Sequence, residues 1–235
     1  MSAKEIIVKP ILKSKADAIV KKHHYSGKVV QNSQLCFGVW YKGILMGAMQ
    51  FGPPTDKRRM LPLVKDSSWN GMMELNRMAF GEHLPKFSES RAISLAFKWI
   101  KKNAPHIKWV ISFADGTQCG HGTIYQAANF KLTSIKKNTT IILLPNGEKT
   151  TDVSINTGSD KYGREKKKLG FTSTKKYLDE AHKGWKPLTG YMYRYIYFLD
   201  KQAEKNYTGE FIPFSKIKEL GIEMKRGEWV NGASS

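Results

Sequence analysis

Met73-Glu74-Leu75-Asn76-Arg77-Met78-Ala79-Phe80, a turn through Leu84-Pro85-Lys86-Phe87, a run from about Ser88 to Asn103, Trp109-Val110-Ile111-Ser112-Phe113-Ala114-Asp115, and then Ile124 to Asn129 decide the fold. The stretch from Met72 to Phe130 reads as strand, helix, strand, helix. Ile93, Ala96, Phe97 and Ile100 fall at i, i+3, i+4 and i+7, the stripe by which one helix face packs on a sheet. Ser88 stands where an N-cap belongs, Glu89 follows in the first turn, and Lys101-Lys102 close the last turn before Pro105, all in the sense of the helix dipole. The run ending in Asp115 is short and rich in Val and Ile, which favours a buried parallel strand. In open α/β sheets ligands bind beyond the carboxyl ends of such strands, where Arg77 and Asp115 both lie.

The chain has 235 residues, enough for one large domain with a substantial core. It carries 39 Lys+Arg against 20 Asp+Glu, a net charge of +19. Such an excess favours a polyanionic partner, because each neutralised phosphate releases a counterion; the plainer alternative is a basic, soluble surface. Lys57-Arg58-Arg59, Lys136-Lys137, Arg164 to Lys168 and Lys175-Lys176 fall in segments that read as loops or edges, within reach of a long substrate. No stretch approaches the roughly 18 apolar residues of a membrane span, and Met1 to Pro10 lacks the apolar segment of a secretory signal. Cys36 and Cys119 are not spaced as a metal pair and are expected to be free thiols.

From the amino end, Ile6 to Leu12 reads as a strand. Ser14-Lys15-Ala16-Asp17 resembles a capping box opening a helix that buries Ala16, Ile19, Val20 and His23, and Gly27 stops it. Leu35 to Tyr41 and Ile44 to Phe51 form a hairpin across Lys42-Gly43. Thr55 to Gly71 reads as a long polar loop. Thr139 to Leu144 and Thr151 to Ile155 flank Pro145-Asn146-Gly147-Glu148 as a second hairpin, and Gly158 to Lys168 is expected to be mobile until something binds. Tyr191, Tyr193, Tyr195 and Tyr197 alternate with Met192, Arg194, Ile196 and Phe198 in a strand buried on both faces, a better account of the tyrosine row than base stacking. A short helix is expected over Lys216 to Leu220, and a disordered tail from about 222 to 235. The organisation is a single domain over 1–235 with a basic hairpin and loop insertion at about 131–176.

Ile124-Tyr125-Gln126-Ala127-Ala128-Asn129-Phe130 after strand, helix and strand is similar to the core of the GCN5-related N-acyltransferases, whose last core helix ends in a tyrosine-centred segment closing on Gly-Phe. Asn129 replaces that glycine and tolerates the left-handed conformation. His24-Tyr25-Ser26-Gly27, Gln50-Phe51-Gly52-Pro53-Pro54, Glu74-Leu75-Asn76-Arg77, Ser90-Arg91, and Phe113-Ala114-Asp115-Gly116 through Gly120-His121-Gly122-Thr123-Ile124-Tyr125 together resemble the phage Mom proteins. This resemblance covers most of residues 20 to 200. It implies an α+β, mixed α/β fold, an acyltransferase-like central mixed sheet flanked by helices, with extra basic loops. It implies a phage-encoded transferase acting in the cytoplasm of the bacterial host. The enzyme would convert adenine in DNA to N6-carbamoylmethyladenine and so protect the DNA from restriction. The alternative is a conventional coenzyme A-dependent N-acyltransferase acting on a small amine or a protein lysine.

Individual residues suggest roles, and for Tyr125 the acyltransferase resemblance does. Asp115 would orient the adenine amine or accept its proton; its alternative is a cap or turn residue. Tyr125 would be a general acid, or its ring is core. Arg77, an odd residue in an apolar strand, demands a partner: Asp115, the ligand, or a structural ion pair. His24 and Tyr25 supply imidazole and phenol from one segment, and with Asp115 they make a candidate iron site; a histidine near a helix end is also favoured by the dipole alone. Lys86, Ser88, Ser90 and Arg91 are the candidate cofactor residues, although the turn lacks the glycines that usually cradle the coenzyme A pyrophosphate, and Glu89 would repel it. Plain acyl transfer gives an amide, whereas the implied product joins N6 to a methylene. Acetyl-CoA with metal-assisted chemistry, a glycine-derived donor or an aminoacyl group therefore stay open as donors. Reaching N6 requires a flipped or unpaired base, on which Tyr25, Trp69 or Phe87 could stack.

Overall fold

The computed structural model describes residues 2–220 and the backbone of 224–225 and 228–229. In chain order the elements are β1 (Ile7–Pro10), α1 (Lys13–His23), β2 (Leu35–Tyr41), β3 (Ile44–Gly52), α2 (Lys57–Met60), β4 (Met72–Phe80), α3 (Ser88–Asn103), β5 (Trp109–Asp115) and α4 (Thr123–Ala127). There follow β6 (Lys131–Leu143), β7 (Lys149–Thr151), α5 (Asp152–Thr157), α6 (Lys161–Lys168), α7 (Thr174–Ala181), β8 (Lys186–Phe198), α8 (Lys201–Lys205), α9 (Ser215–Glu219), β9 (Met224–Lys225) and β10 (Glu228–Trp229). Eight strands pair in the order β1-β2-β3-β4-β5-β8-β6-β7. Pairing is antiparallel from β1 to β4 and parallel between β4 and β5. The chain thus has the expected mixed α/β class, a central mixed sheet with helices. Its contacts fall into two compact units, one of Met1–Ala114, Gly122–Ser134 and Tyr193–Gly221, the other of Asp115–His121, Ile135–Met192 and Ile222–Ser235.

In the first unit α3 runs as its stripe requires. Ile93, Ala96, Phe97 and Ile100 are all buried, and the Phe97 ring lies 4.4 Å from that of Tyr197 and 5.7 Å from that of Phe130. Truncating Phe97 to Ala would cost about 3–5 kcal/mol, the lost transfer energy plus a cavity. The hairpin between β2 and β3 turns at Lys42 and Gly43, both at positive φ (50° and 78°), the backbone of a primed turn that follows strand twist. Tyr193, Tyr195 and Ile196 of β8 are fully buried, as the alternation of bulky residues foretells.

Local starts differ from expectation. α1 begins at Lys13 after Leu12, which makes no side-chain cap; Asp17 instead accepts from Lys13 Nζ at 2.6 Å. Its buried residues are Ala16 and Val20, while Ile19 and His23 are half-buried. α3 is preceded by Phe87 in the left-handed conformation, and Ser88 is its first residue, not its cap. The expected loop of residues 55–71 contains α2 and a 3-10 turn at Leu61–Leu63. Asp56 accepts from Arg59 N to cap α2, and Val64 packs with Met72 and Trp109. Elements of one turn carry no periodicity, which is why they escape pattern reading.

The second unit has its own core of Ile142, Leu144, Ile155, Tyr162, Tyr177 and Leu178. The hairpin of β6 and β7 is present, but Thr151 ends the strand and caps α5 by accepting from Ser154 N at 3.0 Å, so the expected strand over Thr151 to Ile155 is helical. Residues 161–168, expected to be mobile, form α6, capped by Asp160. Cys36 and Cys119 are free thiols. α9 matches the expected short helix near Lys216, and the tail expected to be disordered lies largely outside the described residues. Among the described residues no helix is long and apolar enough to cross a membrane.

Candidate active site

β4 and β5 share three rungs, Met72 with Trp109, Met73 with Val110 and Glu74 with Ile111, where their parallel ladder ends. On its other edge β4 shifts register against β3: Gln50 faces Arg77 and Phe51 faces Leu75, leaving Asn76 as the extra residue of a bulge. Bulges re-aim side chains and release backbone groups from the ladder, and they are frequent beside active sites. Here Leu75 O accepts from Ser112 Oγ at 3.1 Å and Asn76 O accepts from Arg77 Nη1 at 2.7 Å.

Side chains of unusual character converge on this bulge. Burial pushes the Glu74 carboxyl up to about 7, against the opposing pull of a hydrogen bond with Asn76 and the charge of Arg77. Asn76 Oδ1 and Gln50 Oε1 are buried acceptors without a hydrogen-bond partner among the described residues, while Gln50 Nε2 donates to Asp17 Oδ1 at 2.6 Å. Buried polar atoms are nearly always paired, so two orphan acceptors beside a near-neutral carboxyl mark an unsatisfied polar cluster at the bulge. Glu74, Asn76, Gln50 and Ser112 received no role from sequence reasoning. The available signal was an acid and an arginine three residues apart inside one apolar strand.

Arg77 is half-buried, and its Nε donates to Lys28 O at 3.2 Å. Its charge reaches His24, whose imidazole is held down to about 4, first by burial and then by Arg77. His24 Nδ1 accepts from Ser26 N at 3.2 Å and lies 2.8 Å from Ser26 Oγ, so the neutral ring carries its proton on Nε2. The Tyr25 ring lies 4.3 Å from that of His24 and is exposed, as are Trp69 and Phe87. Of the sequence-predicted residues, Arg77 acts electrostatically on both Glu74 and His24, and Tyr25 lies against the His24 ring.

Tyr125, on α4, packs its ring 5.2 Å from Phe130 and 5.2 Å from Tyr195 and stays half-buried. Gly122, at φ 82°, makes this possible: a Cβ there would stand 2.6 Å from the Tyr195 ring and 3.0 Å from that of Tyr125.

Asp115 belongs to the second unit and is buried. Its Oδ1 accepts from Thr117 N at 2.9 Å and Asn138 Nδ2 at 3.2 Å, and its Oδ2 from Gln118 Nε2 at 2.8 Å. Three N–H donors hold this carboxylate as the anchor of the turn that follows β5. Among the described residues no three His, Cys, Asp or Glu side chains gather as a metal site.

The start of α3 opens on a cavity of about 830 Å³ whose lining includes Lys4, Lys86, Ser90, Arg91, Asn129 and Tyr197. Arg91 Nη2 donates to Lys4 O at 3.4 Å, whereas its Nε and the fully buried Ser88 Oγ have no hydrogen-bond partner among the described residues. Ser90 Oγ donates to Phe87 O at 3.3 Å. Unsatisfied donors and cations around helix-start amides fit a phosphate-bearing group. Three of the four predicted cofactor residues line the cavity; Ser88 is fully buried and does not.

The family model described as the Mom protein family matches residues 5–216. A methylcarbamoylase Mom of Escherichia phage Mu is 35% identical over 204 residues, covering 86% of this chain and 79% of that one. Among solved structures, an N-acetyltransferase from Staphylococcus aureus aligns with 9% identity over 83% of this chain and 99% of that one, TM-score 0.46. An IAA acetyltransferase from Bacillus cereus aligns with 12% identity over 82% and 99%, TM-score 0.43. On the extent of the family match and the identity to the phage Mu relative, the chain belongs to the Mom protein family.

Proposed function

We propose that this chain is a transferase that modifies the N6 amine of adenine in DNA, giving N6-carbamoylmethyladenine and shielding phage DNA from host restriction. The observation that carries the reading is family membership across residues 5–216, with a methylcarbamoylase as a 35% identical relative. The net charge of +19 suits a polyanionic substrate.

Adenine N6 is a weak nucleophile because its lone pair is delocalised into the ring, and forming an N6–carbon bond releases one N–H proton. A carboxyl with a midpoint of about 7, Glu74, is matched to accept that proton near neutral pH. Asn76 Oδ1 and Gln50 Oε1 are acceptors for the amine hydrogens. The neutral His24 offers Nε2–H as a donor, and Arg77 places positive charge beside the carboxylate that ionises. Tyr125 acts as a hydroxyl acid, and Asp115 orients the turn after β5. The cavity at the start of α3 takes an acyl-CoA-type or glycine-derived donor through Lys86, Ser90, Arg91 and the first-turn amides. When bound, the donor would supply a methylene carbon bearing a leaving group, so that the N6–CH2 bond forms as that group departs with its bonding pair and the N6 proton passes to Glu74. The target base is flipped out of the duplex, since N6 is otherwise stacked and paired.

Expression in bacteria, digestion of their DNA and nucleoside mass spectrometry test the reading. The expected result is a deoxyadenosine heavier by one carbamoylmethyl group. Unmodified deoxyadenosine alone, with soluble protein confirmed, overturns it.

A further inference from the structure

The second unit carries a cationic helix whose charges are not balanced locally. Helix α6 turns Tyr162, Gly163 and Lys166 inward and Lys161, Arg164, Lys167 and Lys168 outward. The lysine run is thereby divided: Lys166 Nζ donates inward to Asn156 Oδ1 at 3.0 Å, which also accepts from Thr174 Oγ1 at 2.6 Å. The neighbouring acid, Glu165, accepts from Tyr177 Oη at 2.9 Å and lies 3.7 Å from His182 Nε2. Lys161 pairs with Glu148 at 2.7 Å. Arg164, Lys167 and Lys168 have no acidic partner within ion-pair distance among the described residues.

The contrast with α7 is informative. There Lys175 pairs with Asp179 and Lys176 with Glu180, each at i,i+4, so a basic pair is neutralised within its own helix. In α6 the dipole accounts for cations in the last turn, at roughly 0.3–1 kcal/mol each, but Arg164, mid-helix, gains little from it.

The face is also rigidly mounted. A Cβ at Gly163 would lie 2.6 Å from Gly158 Cα and 2.7 Å from the carbonyl oxygens of Ser154 and Ile155, so α6 packs directly on the end of α5. Asp160 caps α6 through Gly163 N at 2.8 Å and accepts from Thr150 Oγ1, while Tyr162 Oη donates to Glu148 at 2.7 Å. Cations held on a fixed helix lose less freedom on binding than cations on a mobile loop. From residue 164 to 168 the helix rises about 6 Å, and the long arginine and lysine side chains extend that reach to about two or three phosphates of B-DNA.

We propose that the outward face of α6, through Arg164, Lys167 and Lys168, docks on the phosphate backbone of duplex DNA and holds it while a base is presented for modification. This assignment rests on the DNA-modifying reading above. Its contacts are to backbone, so it contributes affinity and orientation without base preference.

The test is fluorescence anisotropy of the full-length protein on a 20-base-pair duplex over a salt series. It compares wild type, the triple variant Arg164→Gln, Lys167→Gln, Lys168→Gln, and the control Lys175→Gln, Lys176→Gln. The triple variant is expected to bind at least tenfold more weakly near 100 mM salt, with the slope of log affinity against log salt shallower by about 2 to 3, since each lost phosphate contact removes about 0.9. The control should stay within about twofold. Triple-variant binding and slope equal to wild type overturn the assignment, as does an equal loss in the control. If the triple variant melts early, single Arg164→Gln and Lys168→Gln variants are used, each expected to reduce the slope by about 0.9. Nucleoside mass spectrometry of wild-type-expressing cells separates the two proposals. Modified adenine with an unchanged slope removes only the docking face, whereas unmodified adenine with a reduced slope removes only the chemistry.

Discussion

Glu74 and Ile111 form the last rung of the parallel ladder between β4 and β5, and two residues further on, at Asn76, β4 bulges against β3. The carboxyl is therefore set at a sheet discontinuity, half out of water, with its midpoint raised to about 7 chiefly by burial. A Glu74→Gln variant should abolish adenine modification in cells while folding normally. The raised midpoint also affects stability. Holding the proton stabilises the fold fully below the ordinary 4.5, and that contribution is lost as pH rises through 7. The Gln variant should thus melt like wild type near pH 4 and be more stable above pH 7, by up to about 3 kcal/mol. Equal stability of the two proteins at pH 8 would contradict the buried-carboxyl account.

Arg77 sets the charge of its neighbours. Replacing it with Gln should let His24 titrate part-way back from about 4 toward its ordinary 6.5, only part-way because burial is the larger cause. The Glu74 midpoint should rise further, since Arg77 lowers it. Nitrogen chemical shifts of His24 across pH 3–8 report the first change. A His24 midpoint that does not move would remove Arg77 from this cluster.

Asp115 accepts three N–H donors, so its carboxylate cannot be exchanged for an amide without cost. Asp115→Asn turns an NH2 toward at least one of Thr117 N, Gln118 Nε2 and Asn138 Nδ2. The expected loss is about 1–3 kcal/mol of stability, read by urea denaturation, together with loss of modification. A fully stable variant that has lost modification would assign Asp115 to the chemistry and not to the turn.

Tyr125 can be separated into ring and hydroxyl. Tyr125→Phe keeps the packing on Phe130 and Tyr195 and should leave the unfolding free energy within about 1 kcal/mol of wild type while abolishing modification. Retained modification would leave only the ring packing as its role.

Much of this protein is written locally. Period alone determined α3, with Ile93, Ala96, Phe97 and Ile100 all turned to the core, and bulky alternation determined β8. Lys42-Gly43 between two β-rich runs sufficed for the hairpin, and Asn129 takes the left-handed φ of 63° that its replacement of glycine implied. The positive charge and the family motifs are likewise properties of the linear chain. Short elements were not legible, because α2, α5 and α6 are one or two turns whose starts depend on single caps such as Asp56, Thr151 and Asp160. The character of Glu74 was legible only in three dimensions: its residue type marks an acid, but its proton affinity depends on water excluded by elements distant in sequence and on where β4 parts from β5. The same holds for His24 beside Arg77, and for which lysines of α6 face inward. Periodicity and composition are local and survive in the sequence, whereas desolvation, orphaned acceptors and unbalanced charge are sums over neighbours that only the folded chain brings together.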